Sequence, residues 1–492
     1  MSSAQAVYKR RRPEETTLYR VVQDNLATLV GAVEDGALAI ALPKFVKKEL
    51  EGYLDCGLLC RGFARVQCTS CSDKHLVAFG CGGRGFCPSC LGRKMAETAL
   101  NLQECVLPPD PLRQWVLTFP FAWRSRLGFD APLFGALTRL FVQTVVGFYT
   151  QRLNNAGVAR GQSGAVVALQ RTSSDLRLNP HLHVVFLDGV YHEEQGEVVF
   201  RALPRLSTRE VGAVLEQGVR RMARYLARRG LLGVDSREGD DGETEPTLAQ
   251  GHAALCASAA SGQSPPAGPE LRRRGTSLAP LVGKPLAFDK PLCASVDGFT
   301  LHAATRAGGL DGRAREALLK YVLRPPIAQE RITQGPDGLV RIALKRPFSD
   351  GTVAIDLDPL SLLCRLAASV PAPRMHTVRY AGVLASASKL RRRIVPKPPA
   401  ATSGEDANEP KRQGCRYRSW AELLGTLGID ALECPSCQGR MRILALVREP
   451  NEVRRFLRAA GEVAEPPHRA PARGPPYWAS RALRIRSGAD AA

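Results

Sequence analysis

The chain has no run of apolar residues approaching the roughly 18 that a membrane-crossing helix needs, so no segment is expected to span a bilayer. Its first residues, MSSAQAVYKRRRPEE, carry basic groups without an apolar stretch, and no secretory signal is read there. No internal repeat is visible, which argues against a solenoid. The chain is also short of acid: 47 Asp and Glu face 68 Lys and Arg, a net charge of +21. An enzyme acting on ordinary acidic substrates does not need that excess, whereas a protein that sits on a polyanion does. A hydrophobic content of 44% excludes a wholly disordered chain. The expected location is the cytoplasm, where the 14 cysteines read as metal ligands or free thiols rather than disulfides. At roughly 150 residues per domain, 492 residues suggest about three domains.

Composition divides the chain further. Residues 13–107 combine a helical stretch with a cysteine-rich segment. Residues 111–232 and 276–392 read as mixed α and β structure, separated by a Gly-, Ser- and acid-rich stretch, 233–275, taken as a flexible linker or insertion. A second linker is expected over 393–413, a Cys-x2-Cys region over 414–460 and a loose tail over 461–492. Leu18, Val21, Val22 and Leu26 have helical spacing, and residues 130–154 read as an apolar-faced helix. Ser207 and Glu210 form a capping box for a helix reaching Arg229, with Gly230 at its C-terminal turn and Arg220, Arg221, Arg224 and Arg228 near its end. Segments 114–120, 164–171 and 181–187 read as strands, and 190–200 as a hairpin.

Seven cysteines fall within residues 56–90. Cys68-x2-Cys71 and Cys87-x2-Cys90 have the spacing of two knuckles around one tetrahedral structural zinc. Cys56, Cys60 and Cys81 remain over, and either complete a second site or displace one of the four. Cys434-x2-Cys437 forms another knuckle, for which Cys415 and His468 are the candidate partners.

In Asn179-Pro-His-Leu-His-Val-Val-Phe-Leu-Asp-Gly189, strand alternation puts His181 and His183 on one face and Leu182, Val184 and Phe186 on the other. Two adjacent imidazoles can hold one divalent ion, and Gln170, at the end of the preceding strand, can add a carbonyl oxygen. His302 is an alternative. Residues 311–324 read as a helix capped by Asp311 and ended by Pro325-Pro326, with Tyr321 flanked by Lys320 and Arg324 and followed by Arg331. A phenol among cations can attack a phosphodiester, and those cations can bind its phosphate, provided a metal polarises the electrophile.

Zinc knuckles, a His-hydrophobic-His strand and a tyrosine helix occur here in an order that resembles the rolling-circle transposases of the insertion sequence 91 family and their common-region relatives. The likeness runs from about Pro13 to Val447, through LYRVVQDNL, CRGFARVQCTSC, GRGFCPSCLGRKMAE, RQWVLTFP, LNPHLHVVFLDGVY, KYVLRPPIAQERI, HTVRYAGVLA and CPSCQGRMRI. It implies an α+β fold: a ferredoxin-like HUH endonuclease palm, an N-terminal zinc-binding domain and a C-terminal knuckle-containing region. It implies Tyr321 as nucleophile, His181 and His183 as ligands of Mg²⁺ or Mn²⁺ with Gln170 alongside, structural Zn²⁺, and single-stranded or melted DNA ends as partner. Lys320, Arg324 and Arg331 are the expected DNA contacts. Two departures stand out. Ala317 occupies the position where two-tyrosine members carry a second tyrosine, and Ala381 stands where relatives often have histidine. A replication initiator or relaxase would share the chemistry. A non-catalytic zinc DNA-binding protein would share only the charge and the cysteines.

Overall fold

The computed structural model describes residues 6–7, 10–232, 247–262, 278–396, 429–430, 433–434 and 436–478. Its centre is an antiparallel sheet built from β3 (Leu112–Thr118), β4 (Gly164–Thr172), β5 (Leu178–Leu187), β8 (Cys293–Val296), β9 (Phe299–His302), β10 (Arg306–Ala307) and β14 (Val378–Gly382). The strand order is β14-β4-β5-β3-β9-β8, with β10 also pairing to β3. Between β3 and β4 runs α5 (Ala131–Asn154); between β5 and β8 run the hairpin β6 (Gly189–Glu194) and β7 (Glu197–Ala202) and then α6 (Thr208–Arg228).

Alternation explains the layering. Leu182, Val184 and Phe186 join Trp115, Leu117 and Val167 on one face, where Phe134, Leu137 and Phe141 of α5 and Val211, Leu215 and Met222 of α6 cover them. Val185, Leu187, Val166 and Ala168 point to the other face, beneath α3 (Pro88–Cys105) and α8 (Gly312–Leu323). Helix α5 has the length and apolarity of a membrane span, yet it is the core helix of this face, with Phe134, Phe141 and Tyr149 fully buried. It is apolar because it is sandwiched, which a search for an unbroken apolar run does not detect.

The N-terminal helices α1 (Thr17–Glu34) and α2 (Lys44–Asp55) pack with α7 (Leu248–Ser261), α9 (Pro359–Ser369) and a three-stranded sheet of β11 (Ile332–Gln334), β12 (Val340–Ala343) and β13 (Ala354–Leu357). Within the expected 233–275 linker, α7 is a buried helix with its own Thr247–Gln250 capping box. Its small residues allow close approach: a Cβ on Gly251 would meet the Ala41 Cβ at 2.5 Å. Residues 233–246 and 263–277 lie outside the described set, as do 397–428, which hold most of the second expected linker and Cys415. The expected loose tail is held over α1 as far as Trp478: Arg473 donates to Asn25, and Tyr477 and Trp478 are buried. A second small sheet joins β1 (Phe63–Cys68), β2 (Lys74–Ala78) and β15 (Met441–Val447) in the order β15-β1-β2, with α11 (Pro450–Ala459) packing Val453 and Leu457 onto Phe63.

Candidate functional site

Strand β5 lies between β4 and β3, so each of its histidines has a neighbour on both sides. His181 stands opposite Gln170 and Thr118; His183 stands opposite Ala168 and Val116. Their rings are 5.0 Å apart, on the face that α8 covers. Nδ1 of His181 donates to the Asn179 carbonyl at 2.6 Å, since a carbonyl only accepts; this fixes the tautomer and leaves Nε2 with its lone pair. The side-chain amide of Gln114 hydrogen-bonds Nδ1 of His183 at 2.6 Å, and Nε2 of His183 is buried without a partner. Burial pushes His181 down to about 4 and His183 to about 3, with Arg324 adding to both effects, so both rings are neutral at neutral pH.

Leu318, Leu319 and Val322 seat α8 on the sheet. The buried Arg315 donates to the carbonyls of Leu107, Pro108 and Asp110, tying the helix to the Pro-Pro-Asp break. Tyr321 faces the histidines: its ring is 5.8 Å from that of His183, and it stays 47% exposed. The Arg324 guanidinium lies 4.4 Å from the Tyr321 ring centre. The Gln170 amide donates to the Val322 carbonyl at 2.7 Å, bracing the tyrosine helix against β4.

The expected DNA contacts differ from one another. Arg324 touches the tyrosine. Arg331 donates to the carbonyls of Ala343 and Ser174. Lys320 is in an ion pair with Glu316 at 2.6 Å, one turn back on the same helix. His302 is engaged with the Cys293 sulfur. Ala381 belongs to the opposite face of the sheet, against the α5 and α6 core, so that departure does not touch the histidine face. Gln114 was not anticipated. Its period-two alternation with Val116 and Thr118 was the available signal, because it places all three on the histidine side.

The cysteines do not group as spacing suggests. Cys56, Cys81, Cys87 and Cys90 form one cluster, and Cys68, Cys71, Cys434 and Cys437 another, with all ligand sulfurs of each within 4.8 Å. The expected quartet is therefore split: Cys87 and Cys90 go to one group, Cys68 and Cys71 to the other. Sulfur separations of 3.5–3.6 Å within the clusters are close to the ~3.8 Å edge that Zn–S bonds of about 2.3 Å give a tetrahedron. Backbone N–H groups point at these sulfurs as knuckles require, from Ser70 to Cys68 and from Cys81 to Cys56, each at 3.3 Å. Such donors stabilise thiolate, and they help hold Cys68 down to about 6. Both clusters fit structural zinc. The cause of the regrouping is the β1–β15 pairing, which brings Met441 beside Cys68 and with it the C-terminal knuckle. His468 takes no part; its carbonyl accepts from Gln23.

Two family models match the chain. One, described as "Putative transposase", covers residues 164–392; the other, described as "Transposase zinc-binding domain", covers residues 34–119. No curated protein and no solved structure matches it. The first match contains His181, His183 and Tyr321, and the second contains six of the eight clustered cysteines.

Proposed function

The chain belongs to the insertion sequence 91 family of transposases, and from that premise we propose that it cuts and rejoins single DNA strands through a 5′-phosphotyrosine link. The observation that carries this reading is the placement of Tyr321 against His183, with Arg324 on its ring. The βαββαβ connectivity of β3, α5, β4, β5, α6 and β9, with β5 and β3 central, supports a ferredoxin-like HUH palm.

In the proposed reaction the Tyr321 oxygen attacks the scissile phosphorus. The bond to the 3′ oxygen breaks, and the phenol proton ends on that oxygen as a free 3′-OH. Attack by an acceptor 3′-OH on the phosphotyrosine reverses the step and joins strands. Arg324 places positive charge where phenolate and phosphate oxygens develop negative charge. The Asn179 carbonyl holds the His181 tautomer, and the Gln114 amide nitrogen lies at His183 Nδ1; an amide flip that presents Oε1 there would leave the His183 Nε2 lone pair free in the same way. The donor set fits a divalent ion: two neutral imidazoles, a buried Nε2 without a partner, and the Gln170 carbonyl oxygen nearby. Mg²⁺ or Mn²⁺ held there supplies Lewis-acid polarisation of the phosphate. With Ala317 in place of a second tyrosine, one nucleophile serves both cleavage and transfer in succession.

Covalent capture tests this. The protein is incubated with Mn²⁺ and a labelled pool of single-stranded DNA that includes its own flanking sequence, then run on a denaturing gel. Wild type is expected to form an adduct that Tyr321→Phe lacks. An adduct surviving in the variant assigns the attack to another residue, and tight binding without adduct in either points to a non-catalytic DNA-binding protein.

A further inference from the structure

A cleft of about 570 Å³ opens beside the tyrosine, and one of its walls belongs to the zinc module. That wall is α3, through Leu91, Lys94, Met95 and Thr98, with Arg84 from the loop before it. The opposite side is the end of β4, His181, the last turn of the tyrosine helix and residues 371 and 374–378. Arg84, Lys94, Arg324, Arg331, Lys345 and Arg374 all line it, and among the described residues of the lining there is no Asp or Glu.

Three of these cations are held by backbone carbonyls, and none of the six is in an ion pair among the described residues. Arg84 donates to the Met375 carbonyl, Lys94 to those of Gly82 and Gly83, and Arg331 to those of Ala343 and Ser174. Carbonyl bonds orient a cation and leave its charge in place. Arg374 sits at φ +62°, a left-handed conformation that costs a non-glycine residue roughly 1 kcal/mol. Burial, together with Arg324 and Arg331, pushes Lys345 down. Gathering this much like charge in a cleft is unfavourable without a polyanion to fill it. Leu91, Met95, Val322 and Pro371 give the walls apolar patches as well, which suit bases rather than free phosphate.

We propose that this cleft binds the DNA strand adjoining the scissile phosphate, as a single strand, with Lys94 of the zinc module and Arg374 of the palm on its phosphates. This rests on the nuclease reading above. It makes the zinc module part of the cleavage site rather than a separate DNA anchor. Cys87 caps α3 and Cys90 lies in its first turn, one turn before Lys94, so the buried cysteine cluster fixes the wall that carries the lysine.

The test uses full-length Tyr321→Phe protein without divalent metal, so that binding is read apart from chemistry. Affinity for labelled oligothymidylate is measured across a salt series. Lys94→Ala with Arg374→Ala is expected to weaken binding roughly tenfold and to reduce the salt slope by about 1.4, at about 0.7 per phosphate contact on a single strand. Lys345→Ala, whose side chain holds no structural bond among those described, should lower the slope by about 0.7. Lys94→Arg with Arg374→Lys should keep the parent slope. Lys47→Ala with Arg341→Ala removes equal charge from ion pairs outside the cleft and should leave the slope unchanged. An unchanged slope in the Lys94/Arg374 variant overturns the proposal. So does an equal loss in the Lys47/Arg341 control, duplex competing as well as single strand, or absence of binding by the parent. Slope loss without covalent capture by Tyr321 would retire the nuclease reading and leave the cleft standing.

Discussion

The two cysteine clusters each have four sulfurs, with separations of 3.6 Å in one and 3.5 Å in the other, yet they are built in opposite ways. The first draws on residues 56–90 and buries three of its four members. It caps α3, touches α2 and sits in the same core as α1, α7 and α9. The second is half exposed and joins Cys71 to Cys434 across 363 residues. Among the described residues its apolar neighbours are Val66 and Met441, and its sheet shares the small core under α11. The contrast teaches that a metal site can be an internal strut or an external clasp with identical ligands. Which one it is depends on the apolar surface gathered behind it.

The sharpest way to break the contrast is to remove one ligand from each. Cys90→Ser opens the strut. A structural zinc supplies on the order of 10 kcal/mol of folding free energy, so the N-terminal module should lose cooperative unfolding. Calorimetry should show the main transition collapse, with zinc per chain falling from two to one or fewer. Cys437→Ser opens the clasp, and here the main thermal midpoint should move by less than about 3 °C, with zinc again reduced by one. Hydrogen exchange should rise over residues 63–68 and 441–447 and nowhere else. A large midpoint shift in Cys437→Ser would show that the clasp is a strut too.

A chelator gives the kinetic version. Cys71 and Cys437 are exposed, so the clasp should release its zinc first, in a distinct fast phase that Cys437→Ser lacks. A single phase for both metals would remove the distinction.

An effect confined to acid pH comes from the seam that ties the strut to the palm. His252 of α7 lies between Phe45 and Phe129, half-buried, with its Nε2 buried and unpartnered. Burial, helped by Arg171, pushes it down to about 4. The unfolded chain titrates near 6.5 and so binds a proton the folded chain does not between about pH 6.5 and 4. Stability from the neutral ring is complete above pH 6.5 and lost as pH falls, by up to about 3 kcal/mol. His252→Leu should flatten that part of the stability-pH curve relative to wild type. An unchanged acid slope would place the loss elsewhere.

How much of this was legible in the sequence follows the distance over which each feature is decided. The histidine strand, α6 and the tyrosine helix are read from period-two and period-3.6 patterns and from caps at Ser207 and Asp311, all local, and the structure has them within a few residues. The Gln170 register opposite His181 was reachable because β4 and β5 are neighbours in sequence. The cysteine partners were not. Spacing alone joins Cys68–Cys71 to Cys87–Cys90, while the decisive fact is the pairing of β1 with a strand nearly four hundred residues later. Helix α7 was hidden by its composition, since Ala and Gly read as flexible until a close neighbour such as Ala41 makes smallness an advantage. The cationic cleft assembles from α3, α8 and residues 371–378, and no window of sequence contains it.

The clasp also has a place in time. Cys434 follows Cys71 by 363 residues, so at about 5–20 residues per second a ribosome needs roughly 20–70 s to deliver it. Once residue 382 has been added the palm has all its strands and the strut its four ligands, whereas β1 still has an unpaired edge and Cys68 and Cys71 are open thiols awaiting a partner. The chain thus carries a zinc-closed mark of having been translated as far as β15, and a product interrupted before it lacks that mark.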